Sequence, residues 1–343
     1  MVHSVPVRGL VPALLGLVMV VTPLSLLQAQ APNASSNAEG AAGGRGILEP
    51  GQPSVVFHAT VGAAISAREA HGRPGGGSTS KNLTYHGGIG GIGVETAPKI
   101  YLVLWGAQWA NNDPSGEAAL LQSFYGEVGG SAWLNSVTQY CQGVASGTIF
   151  CNGAGTTAGN QTGMLAGVWY DNATSAPSRP SQSQLAGEAV RAAAFFNNTT
   201  AASNASVQYV IATASGNNAS GFGTQYCAWH SSTSSSSGNI AYTNLPYMTD
   251  AGASCGANFN GLGPNAGITI VGGHEMAETI TDQFPNGGWL DSNGAENGDK
   301  CAWITSGQGA SANITLGTRL FPVQSLWSNA LNGGAGGCVL SYP

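Results

Sequence analysis

Charge is sparse in this chain, and where it gathers it does so with residues that bind metals. Six of the sixteen acidic residues, Glu275, Glu278, Asp282, Asp291, Glu296 and Asp299, fall between Gly267 and Trp303. The same stretch carries His274, four positions before Glu278. On a helix, residues i and i+4 share a face. His274 and Glu278 therefore present an imidazole and a carboxylate one turn apart, with Glu275 beside them. That is the layout of the H-E-x-x-H zinc helix with glutamate replacing the second histidine. In such a site His274 and Glu278 ligate the ion, and Glu275 is the general base that takes a proton from water. The competing reading is a structural helix with one satisfied histidine and solvated glutamates.

Two elements must position these groups. The apolar run Ile268 to Val271 leads into Gly272 and Gly273, so a strand or buried turn is expected there, followed by a helix from His274 to Thr281. The segment Asn239 to Leu245 reads as extended. It could be the edge strand that holds a substrate backbone by strand addition, or an ordinary hairpin.

Other catalytic chemistries fit less well. Glu275 and Glu278 on one helix rarely meet the carboxyl geometry of a glycosidase. No G-x-S-x-G elbow is present for a serine nucleophile. The six cysteines, Cys141, Cys151, Cys227, Cys255, Cys301 and Cys338, contain no C-x-x-C pair and read as three disulfides. Six cysteines allow fifteen connectivities. The nearest-neighbour pairing, 141 to 151, 227 to 255 and 301 to 338, closes local loops and is the expected one.

Composition narrows the setting. Charged residues make up 8% of the chain, against about 25% in ordinary globular proteins. With a net charge of −6 and no Lys/Arg clusters, nucleic acid and anionic membrane are excluded as partners. Residues 1–31 carry Arg8, an apolar run from Leu10 to Leu27 and small residues at Ala29 and Ala31, the pattern of a cleaved secretory signal peptide. The mature protein is then expected outside the cytoplasm, with no membrane attachment after cleavage, as a monomer. Residues 32–81, rich in Ala, Gly, Ser and Pro, read as a flexible linker or a pro-segment that shields a protease site, with a short β-like patch at Ser54 to Val61.

From residue 82 the pattern becomes that of a folded domain. Asn82 to His86 reads as a short strand and turn, and strands are expected at Lys99 to Trp105, Met164 to Tyr170 and Val207 to Ala214. Helices are expected at Gly116 to Tyr125, Ser131 to Tyr140 and Gln182 to Asn197. Tyr226 to Cys255 begins as a Ser-rich loop. Strands alternating with helices give one α/β domain over residues 82–343.

Two separated blocks together resemble a known family. NLTYHGG at Asn82, IYLVLWG at Ile100, Trp109 and SAWLNSVTQY at Ser131 resemble the first half of the EXORDIUM, or phosphate-induced protein 1, family of secreted proteins. GHEMAETITD, then Gly288-Trp289, then Glu296-Asn-Gly-Asp299-x-Cys301 resemble its H-E-x-A-E, N-A-W and E-x-G-D-x-C segments. The likeness spans about Asn82 to Tyr342 and is nearer to bacterial secreted relatives than to the plant proteins. The family's T-N-P stands here as Thr281-Asp282-Gln283, with proline only at Pro285. The plant members are cell-wall growth regulators without an established reaction.

The resemblance also bears on the third metal ligand, for which Glu296, Asp299, Asp291 and His230 are candidates. The E-x-G-D pattern falls on Glu296 and Asp299. Glu296 is the first choice; Asp299 is the second, or orients His274 from behind. His230 and His86 read as structural or loop histidines. Two anionic ligands would lower the acidity of a zinc-bound water and shift preference toward other ions, and the loop from Asp291 to Asp299 has calcium-like oxygen spacing without the EF-hand pattern. The expectation is a single zincin-like domain with a mixed sheet and an active-site helix, acting as a secreted zinc peptidase on peptide or protein substrates, with calcium as the minor alternative ion. The other reading is a non-catalytic interaction protein of the extracellular space, bound to a cell-wall component.

Overall fold

Why α4 forms is the first question the computed structural model answers. Its sixteen residues, Ala266–Thr281, are all buried. A helix buried all round needs no polar stripe. The apolar run Ile268 to Val271, expected as a strand or turn, is therefore the first half of this same helix. A short apolar run cannot distinguish the two, and length decides in favour of helix. Gly272 and Gly273 sit inside the helix because neighbours crowd it. A Cβ on Gly272 would lie 2.9 Å from the Tyr125 hydroxyl oxygen, and one on Gly273 would lie 3.1 Å from both Phe124 and Trp133. Their missing side chains let an aromatic layer pack directly on the backbone, and the Tyr125 hydroxyl donates to the Gly272 carbonyl at 3.2 Å.

The structure describes Met1 and residues 43–71 and 82–342. The signal-peptide reading of residues 1–31 lies outside this range, Met1 apart. The described residues from 43 to 342 belong to one compact unit. Its core is a seven-stranded mixed sheet built from β1 (Gly43–Gly46), β2 (Val55–Ala59), β3 (Lys99–Trp105), β4 (Leu165–Asp171), β5 (Val207–Thr213), β6 (Tyr226–Ser235) and β7 (Gly238–Leu245), in the spatial order β1-β2-β6-β7-β5-β3-β4. The first four strands of that order pair antiparallel, and the pairings β7/β5, β5/β3 and β3/β4 are parallel. Helix α1 (Val61–His71) follows β2, α2 (Glu117–Glu127) follows β3, and α3 (Gln182–Phe195) follows β4. One face of the sheet packs on α3, through Leu185, Ala189 and Ala192 against Tyr209 and Ile211. The other carries the larger core that contains α2 and α4. A mixed α/β architecture with a mixed sheet is thus present.

Most expected elements fall where periodicity places them: β3, β4, β5, α2 and α3 agree to within a residue or two. Three do not. Ser131 to Tyr140 is a short 3-10 turn, Leu134–Gln139, rather than an α-helix. The Ser-rich stretch expected as a loop contains β6, ten residues long, because it pairs with β2 on one side and β7 on the other. As a result the extended segment within Asn239 to Leu245 lies in β7, an interior strand with both edges hydrogen-bonded to neighbours. It cannot receive a substrate strand. The segment expected as flexible linker or pro-segment supplies β1 and β2, which cover the edge that β6 would otherwise expose.

The three disulfides are Cys141–Cys151, Cys227–Cys255 and Cys301–Cys338, all nearest-neighbour pairs. Such bonds persist in oxidising, extracellular compartments. No helix among the described residues is long and apolar enough to cross a membrane. The Cys301–Cys338 bond fixes the end of the loop that carries Glu296 and Asp299. Replacing both cysteines by serine is expected to cost ~3 to 4 kcal/mol on loop-entropy grounds. A urea melt of the double variant checks this; a loss below ~1 kcal/mol would show that the loop holds without the bond.

Candidate metal centre

Helix α4 brings His274 Nε2 within 3.1 Å of Glu278 Oε1. The imidazole is oriented from behind by Gln324, which follows the hairpin of β8 (Ala312–Leu316) and β9 (Arg319–Val323). The Gln324 amide nitrogen donates to the carbonyls of Gly298 and Ser325, at 2.8 and 3.2 Å, so its oxygen is the atom that faces His274 Nδ1 at 3.1 Å. Nδ1 must then carry the proton and donate. The Nε2 lone pair is left pointing into the cluster, the arrangement a metal-binding histidine needs.

The loop after α4 delivers two carboxylates. Asn297 anchors it to the helix through the Ala277 carbonyl at 3.0 Å and the Thr281 hydroxyl at 2.8 Å. The Asp299 N–H donates to Glu278 Oε1 at 2.8 Å, and the Glu296 N–H to Asp299 Oδ2 at 3.2 Å. Asp299 Oδ1 then lies 3.8 Å from His274 Nε2. Asp282 and Asp291 build the loop instead. Asp282 accepts from the backbone N–H groups of Asn286, Gly287 and Gly288. Asp291 accepts from those of Asn293 and Ala295, and from Lys300. The calcium-like spacing of this loop thus has its first carboxylate engaged within the chain.

The sheet supplies one candidate that sequence reasoning set aside, His230, and two groups that it missed, His58 and Arg45. His230 on β6, read as a structural or loop histidine, has its Nε2 3.5 Å from Glu278 Oε2 and 3.4 Å from Glu296 Oε2. His58 on β2 stacks on the His274 ring at 3.8 Å and 5°, with Trp303 on its far side at 5.0 Å. Arg45 on β1 reaches Glu296 Oε1 at 3.0 Å and Asp282 at 3.5 Å. The one available sequence signal was economy: of only six histidines, three meet here. His86 stays apart, beside Thr84.

Three triads among the described residues bring possible donor atoms within 4.8 Å of one another: His274/Glu278/Asp299, His230/Glu278/Glu296 and His58/His274/Glu275. A tetrahedral ion with bonds near 2.0–2.2 Å separates its ligand atoms by roughly 3.3–3.5 Å. In the second triad the nitrogen-to-oxygen separations are 3.5 and 3.4 Å, close to that spacing, and in the first they are 3.1 and 3.8 Å, on either side of it. The third does not describe a site, because an ion lies in the plane of each imidazole that binds it, and the rings of His58 and His274 are stacked in parallel planes. With His274 the carboxylate in reach is Asp299, whereas Glu296, the expected third ligand, meets the other oxygen of Glu278. Glu275 joins neither triad; both its oxygens are buried without hydrogen-bond partners.

The electrostatics call for a cation. His230, His274, Glu275, Glu278, Glu296 and Asp299 are each 1% exposed or less. Burial pushes the Glu275 carboxyl up to about 8 and Asp299 to about 7, and it holds Glu296 well above the usual range. Glu278 is lowered, because burial's upward push is outweighed by His274 and His230 on either side. Burial acts against a charged His274, yet Glu278 and its fellow carboxylates raise it to about 9. His58 moves the other way, down, through burial and the neighbouring His274. Three of the four carboxyls and His274 are thus driven to hold protons, the mark of surplus negative charge that a bound cation would relieve.

No family model, curated protein or solved structure matches this chain. The reading of the site rests on its own chemistry.

Gly298 gives a test of that geometry. A Cβ there would lie 2.7 Å from His274 Nδ1 and 3.0 Å from Glu278 Oε1. Gly298→Ala should displace both side chains and weaken divalent-metal binding by roughly 10- to 100-fold, as loss of an orienting group does. Calorimetric titration with zinc reads the change, and unchanged affinity would show that neither side chain is a ligand.

Proposed function

We propose that this protein is a secreted metal-dependent hydrolase acting on peptide bonds, with its centre on the H-E-x-x-E segment of α4. The observation that supports this most is a buried cluster of ligand atoms: Asp299 Oδ1, with no hydrogen-bond partner, lies 3.8 Å from His274 Nε2, which stands 3.1 Å from Glu278 Oε1. His274, Glu278 and Asp299 would hold the ion, and zinc suits a nitrogen-and-carboxylate set with an open position. A bound divalent cation supplies Lewis acidity, lowering the pKa of a water and polarising a carbonyl. Glu275, adjacent to His274 and free of hydrogen bonds, takes the water's proton and passes it to the departing amine. The mixed sheet packed against a helix that carries this motif supports the zincin-like reading of the domain.

A peptide must reach the centre, and in this conformation β1 and β2 lie across it. Arg45 and His58 belong to that hairpin, and the glycine-rich stretch at residues 72–81 follows α1 in sequence. The hairpin thus acts as the shielding pro-segment: removing it uncovers β6 as an edge for a substrate strand and frees the face of His274.

The closed, fully buried state favours a second reading, a structural ion in a non-catalytic extracellular protein of the EXORDIUM type. Two variants separate the readings, in full-length chain and after cleavage at an engineered site within residues 72–81. Glu275→Gln should keep the metal and lose hydrolysis of a casein-type substrate by at least about 10³-fold. Glu278→Ala should lose metal and activity together. Cleaved wild type that retains metal and hydrolyses nothing would overturn the hydrolase and leave the structural ion.

A further inference from the structure

We infer that the centre takes two divalent cations, bridged by the Glu278 carboxylate, with His230 and Glu296 completing the second site. The inference rests on the first ion proposed above, at His274, Glu278 and Asp299, and adds a separate one.

Glu278 divides its oxygens between two histidines. Oε1 lies 3.1 Å from His274 Nε2, and Oε2 lies 3.5 Å from His230 Nε2. A carboxylate placed in this way holds two ions about 3.5–4 Å apart, the separation of two-metal hydrolytic sites. No triad includes both histidines, so one ion shared between them does not fit the donor spacing.

The second triad has the dimensions of an ion cage. Its nitrogen-to-oxygen separations, 3.5 Å to Glu278 and 3.4 Å to Glu296, fall where tetrahedral ligation puts them. Were His230 a cation bonded directly to these carboxylates, the separations would close to about 2.7–2.9 Å. Instead His230 Nε2, Glu278 Oε2 and Glu296 Oε2 are all buried, and beyond these long mutual contacts none has a hydrogen-bond partner. Three convergent atoms held so loosely are costly unless something fills the space between them.

Charge leads to the same count. Four buried carboxylates, Glu275, Glu278, Glu296 and Asp299, surround the centre. Arg45 is shared with Asp282, which offsets it. With all four ionised, one divalent ion leaves two negative charges buried and two divalent ions neutralise them. Glu296 Oε1 stays on Arg45 while Oε2 turns to the second ion, so Arg45 positions that ligand without touching the ion.

The test is titration of chelator-stripped full-length protein with Mn(II), followed by low-temperature electron paramagnetic resonance and metal analysis after gel filtration. Wild type should retain two equivalents and show an exchange-coupled pair spectrum. His230→Ala and Glu296→Gln should each retain one equivalent with the six-line spectrum of an isolated ion, the affinity of the second ion having fallen by more than about 100-fold. Wild type that retains one equivalent and an isolated-ion spectrum overturns the second site and leaves the first intact. Wild type that retains none overturns both. The wild-type stoichiometry decides the matter even if a variant fails to fold.

Discussion

Carboxylates without water around them are the constraint on which this structure depends. Glu275, Glu278, Glu296 and Asp299 sit at the centre of a protein with few charged residues, and among the described residues Arg45 pairs with Glu296 and Asp282. Leaving several ionised groups in such a place costs several kcal/mol each unless they are paired or coordinate a metal. The same burial that makes the arrangement costly makes any bound cation effective, because its field is not screened by solvent.

The fold meets this constraint by rigid means. Helix α4 is buried along its whole length, so His274 and Glu278 project from a backbone that cannot shift. Gly272 and Gly273 admit the aromatic layer of Phe124, Tyr125 and Trp133, and Gly298 admits the loop against the two ligands. Gln324 fixes the imidazole, Asn297 ties the loop to the helix, and Cys301–Cys338 holds the loop's far end. On the opposite side the sheet contributes His230, His58 and Arg45 from three consecutive strands of the spatial order, β6, β2 and β1. The centre is therefore assembled from a helix, a loop and a sheet, and each is anchored independently of any ion.

How much of this could be read in the sequence follows from how local each signal is. His274, Glu275 and Glu278 were visible because helical spacing places them together without reference to anything distant. Asp299 and Glu296 were visible as carboxylates of one short loop, but which of them meets His274 was not, since that depends on the turn at Gly298. His230, weighed as a third ligand and then read as structural, and His58 were harder to place for a different reason. β6 reads as a polar Ser-rich loop until β2 and β7 flank it, and although β2 falls within the β-like patch Ser54 to Val61, nothing local says that it pairs with β6 and sets His58 on His274. The interior placement of β7 was hidden with them. Ile268 to Val271 was misread because complete burial erases the stripe that identifies a helix. The disulfides were legible, since each closes a loop within one local region.

A divalent metal held by α4 and the loop after it would distinguish this centre from a buried network of ion pairs. Anomalous diffraction from a crystal of full-length protein grown with zinc, recorded on both sides of the zinc absorption edge, tests it most directly. The account predicts a strong anomalous peak at about 2.0–2.2 Å from His274 Nε2 and from the carboxylate oxygens of Glu278 and Asp299. A map with no peak there, in which His274, Glu278 and Asp299 are ordered, would contradict it.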